Sequence, residues 1–243
     1  MTRTYKIAQK LIEVTSLYPE VHEYCRNYAS DGEADIRAVV TQDDIDAERL
    51  KMEREYAGRG RRCPDFSPSQ LEVTAVYRRI AEQMPKFDTF VFHGSVVAVD
   101  GQAYIFTAAS GTGKSTHTRL WRELFGDRAV MVNDDKPMVR VTENEAVVFG
   151  TPYNGKHRLG NDIAVPVKAV CILERAKENS IRRIDKGEAY AMLLQQTYRP
   201  SDGAAFEKTL GLIDRLCGNT ELYKLCANMD ISAAQTAYNA MKG

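Results

Sequence analysis

Seven residues, Ser110 to Thr116, read S-G-T-G-K-S-T and limit the folds that are open to this chain. The run AYIFTA before them is rich in β-formers, and HTRLWRELFG after them has helical spacing. The two glycines permit positive φ angles, so successive backbone N–H groups can face one anion. The order strand, glycine loop, helix therefore predicts a phosphate-binding loop, or P-loop.

Each residue type in this loop has a role that its chemistry suggests. Lys114 is expected to reach the β- and γ-phosphates of a nucleoside triphosphate, and Ser115 to offer its hydroxyl to Mg²⁺. The helix that follows points its positive end at the phosphates. The usual pattern begins with another glycine, where this chain has Ala108. ATP and Mg²⁺ are the predicted cofactors, although nothing in the sequence distinguishes adenine from guanine. The predicted cofactor-binding residues are Ser110, Gly111, Thr112, Gly113, Lys114, Ser115 and Thr116.

Two adjacent acids, Asp134 and Asp135, follow the apolar run Val130–Val132. A strand next to the loop strand would deliver carboxylates to the bound metal. Adjacent strand residues point to opposite sides, so we expect the two acids to have different roles. One would hold the metal and the other would accept a proton from a hydroxyl substrate. A pair of turn acids before Pro137 is the structural alternative.

The rest of the chain indicates an N-terminal α+β region, residues 1–85, packed on a core formed by residues 86–243. The pattern of residues 4–14 fits a strand or a helix, of which the strand is preferred, and a strand is predicted over 34–41. A helix is predicted over 41–56, and a second one begins at Ser67, whose cap is completed by Gln70. The basic segment 57–68 between these helices is predicted to be a loop. In the core, we predict a hairpin at Asp100-Gly101, strands near 129–133, 137–141, 145–149 and 163–174, and helices near 187–198, 203–217 and 230–242.

Over roughly residues 88–175, the order His93-Gly94, hairpin, glycine loop and Asp134-Asp135 resembles the HPr kinase/phosphorylase family and the related phosphoenolpyruvate carboxykinases. The resemblance implies an α/β (α+β) fold with a mixed-sheet P-loop kinase core, to which the residue pattern of 1–85 adds a small α+β N-terminal region. It also implies that Asp135 is the general base, that Asp134 is the metal-side neighbour, and that His93 and Lys114 lie near the reacting phosphate. The family's second signature, Glu-x-Arg-Gly, is not found, so the acceptor is left open.

Three basic residues are weaker candidates for substrate binding. Lys156 and Arg158 belong to a donor-rich loop after Gly150-Thr151-Pro152, and Arg199 follows Tyr198 later in the chain. Their charges would neutralise a transferring phosphate or hold an anionic acceptor. A solvated basic turn is the alternative for Lys156 and Arg158.

Composition excludes several classes of protein. Lys+Arg and Asp+Glu are both 33, so the formal net charge is zero, which argues against broad nucleic-acid binding. The five cysteines form no CxxC pair and are predicted to be free thiols. The absence of a long apolar run or a signal-like N-terminus leads us to expect a cytoplasmic protein without membrane contact. A homo-oligomer is left open.

The preferred interpretation is a kinase that transfers the γ-phosphoryl group of ATP to a hydroxyl, such as a serine of a protein, a peptide or a small molecule. A non-catalytic nucleotide-dependent switch is the first alternative, because it needs the metal site but no base. A carboxykinase-like phosphotransferase is the second. The arginines and histidine that such an enzyme uses for its substrate and metal are not matched in this chain.

Overall fold

A computed structural model describes residues 1–58 and 60–243. The chain divides into two units, Met1–Gln83 and Met84–Gly243, which are described separately. The predicted packing of the N-terminal region on the core stays a prediction. Arg59, one of the arginines of the predicted basic loop, lies outside the described residues. None of the helices in the described residues has the length and apolar character that crossing a bilayer requires.

The first unit begins with a β-hairpin where the sequence suggested one strand. Strand β1 (Thr2–Ile7) pairs antiparallel with β2 (Lys10–Thr15). Ala8 and Gln9 form the turn with φ angles of 50° and 63°, as a two-residue hairpin loop requires. The single strand predicted over 4–14 is therefore wrong, because Ala-Gln carries none of the residue signals of such a turn.

In the part of this unit that the structure describes, a short third strand and three α-helices follow the hairpin. Strand β3 (Ile36–Val39) runs parallel to β2, after helix α1 (Glu20–Tyr24). Helices α2 (Gln42–Gly58) and α3 (Pro68–Gln83) follow and contact each other. The predicted cap of α3 is confirmed, since Ser67 Oγ accepts from Gln70 N at 3.2 Å and Ser67 N donates to Gln70 Oε1 at 3.0 Å.

The second unit is built on a mixed sheet, which confirms the predicted mixed α/β class. In the described part of the chain its strands are β4 (Thr89–Val91), β5 (Ser95–Val99), β6 (Gln102–Thr107), β7 (Ala129–Asn133), β8 (Met138–Val141), β9 (Ala146–Phe149), β10 (Ala164–Arg175), β11 (Ser180–Arg183) and β12 (Glu221–Ala227). The order is β4-β8-β9-β10-β6-β5-β7, with β12 pairing with β10 and β11 with β12. The predicted hairpin is confirmed between β5 and β6, where Asp100 and Gly101 both have positive φ. Strands β11 and β12 were not predicted.

Strand β10 joins two differently paired parts of this sheet. Its first residues, Ala164–Pro166, pair antiparallel with β9. Its later residues run parallel to β6 on one side and to β12 on the other. Between Val167 and Ala169 the register with β6 shifts by a bulge. A single long strand therefore carries both pairing modes.

Helices cover both faces of the sheet, so alternate residues of its central strands are buried on opposite sides. The α-helices of this unit are α4 (Lys114–Phe125), α5 (Lys186–Gln195), α6 (Gly203–Asn219) and α7 (Ser232–Met241). On one face, Tyr104 and Phe106 of β6 pack with Trp121 of α4 and Ala237 of α7. On the other face, Ala103 and Ile105 pack with the buried residues of α5 and α6, which include Leu193, Leu212, Ile213 and Leu216. This packing fixes the start of α4 relative to the end of β6.

Candidate functional site

The glycine loop lies between the end of β6 and the start of α4, as the sequence indicated. Gly111 and Gly113 have φ angles of 80° and 120°, which side chains other than glycine rarely adopt. Gly113 is the N-cap of α4, and its carbonyl accepts from His117 N at 2.9 Å. The helix therefore begins directly at Lys114, with its free N–H groups at the loop.

Lys114 is held inside this loop although it carries a charge. Its side chain is nearly buried, and Nζ donates to Ala108 O at 3.1 Å. Burial lowers the pKa of Lys114 because it disfavours the charged form, and the carboxylates of Asp135 and Asp134 oppose that shift. The ammonium group thus faces the acidic pair across the site.

A cleft of 580 Å³ brings most of the predicted site residues together. Its volume lies in the range of small-molecule sites. It is lined by His93, Ser110, Gly111, Gly113, Lys114, Ser115, Thr116, Asp134, Asp135, Gly155, Lys156 and His157. Segments far apart in the chain therefore meet at the N-terminus of α4.

Asp134 is the more buried of the two acids. It is 8% exposed, and its Oδ1 accepts from Ser95 Oγ at 2.6 Å. The Ser95 hydroxyl also lies 2.8 Å from Thr118 Oγ1 on α4. The hydrogen bond from Ser95 fixes the orientation of this buried carboxylate. A carboxylate held in this way is suited to binding a metal ion.

Asp135 lies in a tight turn and not on a strand. Strand β7 ends at Asn133, so the alternation of side chains along a strand does not separate the two acids. Asn133 Oδ1 instead accepts from the backbone N–H groups of Asp135 and Lys136, at 2.9 and 2.8 Å. Asn133 Nδ2 donates to Thr151 O and Oγ1. The premise of strand alternation is wrong, and the different surroundings of the two acids separate them instead.

His93 faces Asp135 and is held from behind by Gln196. Its Nε2 lies 3.6 Å from Asp135 Oδ1, and its Nδ1 lies 2.7 Å from Gln196 Oε1. The amide oxygen can only accept, so Nδ1 carries the proton and neutral Nε2 faces the carboxylate without one. Burial and then the charge of Lys114 lower the pKa of His93, while Asp135 raises it. Two proton acceptors therefore face the cleft side by side.

Three predicted residues lie away from the walls of this cleft. Thr112 Oγ1 donates to Ala109 O at 2.9 Å and lines a neighbouring cavity. Arg158 and Arg199 are exposed and do not line the cleft. Of the weaker substrate candidates, the structure brings only Lys156 to it, together with His157. The roles of Lys156, Arg158 and Arg199 stay predictions.

Arg175, at the end of β10, supports the glycine loop from outside and was not predicted. Its Nε donates to Thr112 O at 2.9 Å, and its terminal nitrogen donates to Gly111 O. Ser95, Asn133 and Gln196 were missed as well. Two signals were available, because Ser95 lies two residues after His93 and Asn133 directly precedes the acidic pair, where an Asn favours a turn. Gln196 lies 103 residues from its partner His93.

The donor set of the cleft is compatible with Mg²⁺. Ser115 is exposed to the cleft, and Asp134 adds a carboxylate. Mg²⁺ prefers oxygen ligands and usually keeps several waters, with one or two carboxylates and substrate phosphates completing its octahedron. The residues present therefore fit a magnesium ion that is bound together with a phosphate ligand.

Comparison with known proteins shows the family of this chain and a distant similarity to a solved structure. No curated protein matches the chain. The HPr(Ser) kinase/phosphatase from Coxiella burnetii aligns with 63% of this chain and 99% of its own length, at 9% identity and a TM-score of 0.34. An alignment of that quality does not establish a common fold.

The family is shown by a model described as SynChlorMet cassette protein ScmC, which matches residues 67–208. This family differs from the one that the sequence resembles around the glycine loop. The match spans more than half of the 243 residues. The chain therefore belongs to the ScmC family of SynChlorMet cassette proteins.

Proposed function

We propose that this chain is an ATP- and magnesium-dependent kinase that transfers the γ-phosphoryl group to a hydroxyl of a protein, peptide or small molecule. One observation carries the proposal. A single cleft combines a glycine loop at a helix N-terminus, the buried Lys114, and the carboxylates of Asp134 and Asp135. Phosphoryl transfer depends mainly on positioning and on neutralising charge, which is what these groups supply.

The triphosphate would lie across the start of α4. The backbone N–H groups of residues 111–116 and the positive helix end would hold its oxygens. Lys114 Nζ would exchange its bond to Ala108 O for the β- and γ-phosphates. Ser115 and Asp134 would hold Mg²⁺, which neutralises phosphate charge when bound. Lys156 lines the cleft, where its charge would offset charge on the transferring group.

The acceptor hydroxyl would lie between the γ-phosphate and the pair formed by Asp135 and His93. Its oxygen forms the new bond to the γ-phosphorus while the bond from that phosphorus to the β–γ bridging oxygen breaks. The hydroxyl proton passes to Asp135, and the products are the phosphorylated acceptor and ADP. His93 Nε2 lies 3.6 Å from Asp135 Oδ1. It would help to orient the hydroxyl by accepting a hydrogen bond from the hydroxyl proton.

Single-turnover transfer from γ-labelled ATP tests this function. The purified protein is mixed with ATP and Mg²⁺, with and without a lysate, and the label is followed into protein, peptide and small-molecule fractions. Lys114→Ala is expected to abolish labelling and to weaken Mg–ATP binding in calorimetry, because it removes the cation that lies inside the loop. Lys6→Ala, an exposed lysine in the first unit, is the matched control. Equal ATP affinity and equal transfer in wild type and Lys114→Ala would refute the proposal.

A further inference from the structure

A second cavity of 370 Å³ lies on the far side of the loop from the acidic pair. It shares Gly113 and Thr116 with the phosphate cleft, so one ligand can occupy both spaces by crossing these two residues. Its other walls come from the end of β10 and from the turn between β12 and α7. The apolar side chains in these walls are Leu173, Ala176, Ala227 and Met229.

From this geometry we infer that the cavity binds the nucleoside part of the triphosphate, with the base packed against the apolar wall beneath Met229. The inference rests on the proposed function, because the phosphates in the neighbouring cleft anchor the ligand. The volume is in the range of small-molecule pockets, which are mostly apolar with few polar groups. A flat aromatic base suits such a wall better than a second anion would.

His117 supplies a polar group that has no protein partner. It lines the cavity and is 3% exposed. Trp121 Nε1 donates to His117 Nε2 at 3.0 Å, and an indole N–H can only donate. Because Nε2 accepts this bond it carries no proton, and the proton of the ring lies on Nδ1. Among the described residues, that Nδ1 has no hydrogen-bond partner. A nucleoside oxygen or ring nitrogen, directly or through a water, would satisfy it.

Met229 is presented to the cavity by a well-held turn. Its side chain is 79% exposed, the highest value among the exposed large hydrophobic side chains of the described residues. The preceding Asn228 fixes the turn, because its N–H donates to Asn179 Oδ1 at 2.8 Å and its Nδ2 to Lys177 O at 3.1 Å. An exposed, adaptable thioether at the mouth of an apolar cavity is suited to cover an aromatic ring.

The test compares Mg–ATP with magnesium tripolyphosphate, which has phosphates but no nucleoside. Met229→Ala should weaken ATP binding by about tenfold and leave tripolyphosphate binding unchanged, because only the nucleoside contacts the methionine. Ala176→Phe, which fills the cavity, should bring ATP affinity down to that of tripolyphosphate. Ile231→Ala, an exposed residue outside the cavity, is the matched control. ATP but not tripolyphosphate should change the emission of Trp121, the single tryptophan of the chain.

The outcomes separate this inference from the proposed function. If Lys114→Ala weakens both ligands while Met229→Ala and Ala176→Phe bind ATP like wild type, the phosphate site stands and the nucleoside lies elsewhere. If both cavity variants lose ATP and tripolyphosphate equally, the cavity has no specific role toward the nucleoside. If wild type binds neither ligand, or Lys114→Ala changes neither, the proposed function fails and this inference with it.

Discussion

At the scale of single residues, the two acids of the cleft differ in their surroundings. Asp134 is nearly buried and accepts a short hydrogen bond from Ser95, whereas Asp135 is partly exposed and faces His93 and Lys136. A carboxylate that receives a proton must be reachable by the acceptor hydroxyl. The surroundings therefore favour Asp135 as the base and Asp134 as the metal-side group.

Substituting each acid by its amide should separate these roles. Asp135→Asn is expected to lower transfer by about 10²- to 10⁴-fold with Mg–ATP binding retained, the usual range for loss of a general base. Asp134→Asn is expected first to raise the Mg²⁺ concentration that transfer requires. The measurement is transfer rate against Mg²⁺ concentration for both variants. Exchanged phenotypes would reverse the assignment, and full transfer in both would show that the acids are structural.

Gln196 should control the protonation of His93. The pKa of His93 is lowered, so the neutral form persists below the ordinary value of 6.5, and the acid limb of transfer should lie below that pH. Gln196→Glu places a carboxylate next to Nδ1, which stabilises the imidazolium and raises the pKa of His93. We expect the acid limb of the pH–rate profile to move to higher pH.

The control for this shift is Gln195→Glu, which adds the same charge at the exposed neighbouring position. Its profile should overlay that of wild type. An unshifted limb in Gln196→Glu would show that His93 does not titrate in the transfer step, and a general loss of rate without a shift would indicate a structural role only.

At the scale of elements, the loop and helix α4 were predictable because their signals are local. Glycines, a lysine and an amphipathic helix follow one another without interruption. Gln196 and Arg175, which support the site, were not predictable because they are far in sequence from the residues they contact. Gln196 lies 103 residues from His93, and Arg175 lies 63 residues from Thr112. The turn at Ala8–Gln9 escaped prediction because its positive φ angles are imposed by strand pairing and not by residue type.

Gly113 offers a test of the element that joins loop and helix. Its φ of 120° is strained for any side chain, while a Cβ would meet nothing within 4 Å. Gly113→Ala should therefore cost about 1–3 kcal/mol through backbone strain alone, and it should weaken Mg–ATP binding. Gly211→Ala, which also has open space but lies within helix α6 without positive φ, should stabilise by about 0.5–1 kcal/mol. Urea unfolding and calorimetry of both variants check this, and equal unfolding free energies would contradict it.

At the scale of the whole molecule, the buried His117 makes the second unit sensitive to acid. Its folded-state pKa of about 4 lies below the ordinary 6.5. Between these values the unfolded chain binds a proton that the folded chain does not, so stability falls as pH falls. The loss should approach about 3 kcal/mol by pH 4. The full loss of stability is reached only below the folded-state pKa, and no loss is expected above pH 6.5.

Urea unfolding followed by Trp121 emission measures this loss, because the chain's one tryptophan lies in the second unit. Wild type should lose more stability between pH 7 and 4.5 than His117→Gln, whose amide oxygen can still accept from the indole N–H. The comparison removes the contribution of His22, which is buried in the first unit and has a lowered pKa as well. Identical pH dependence of the two proteins would contradict the assignment.

Strand β10 has a consequence for how this family can diverge. The strand begins in antiparallel pairing at Ala164 and ends at Arg175, whose guanidinium holds the carbonyl oxygens of the glycine loop. One inserted or deleted residue would turn every later side chain to the opposite face of the sheet and direct Arg175 away from the loop. The number of residues in the strand therefore sets the position of Arg175 relative to the end that pairs with β9. Among related chains, we expect substitutions to accumulate along this strand and changes of length to accumulate in the surface loops.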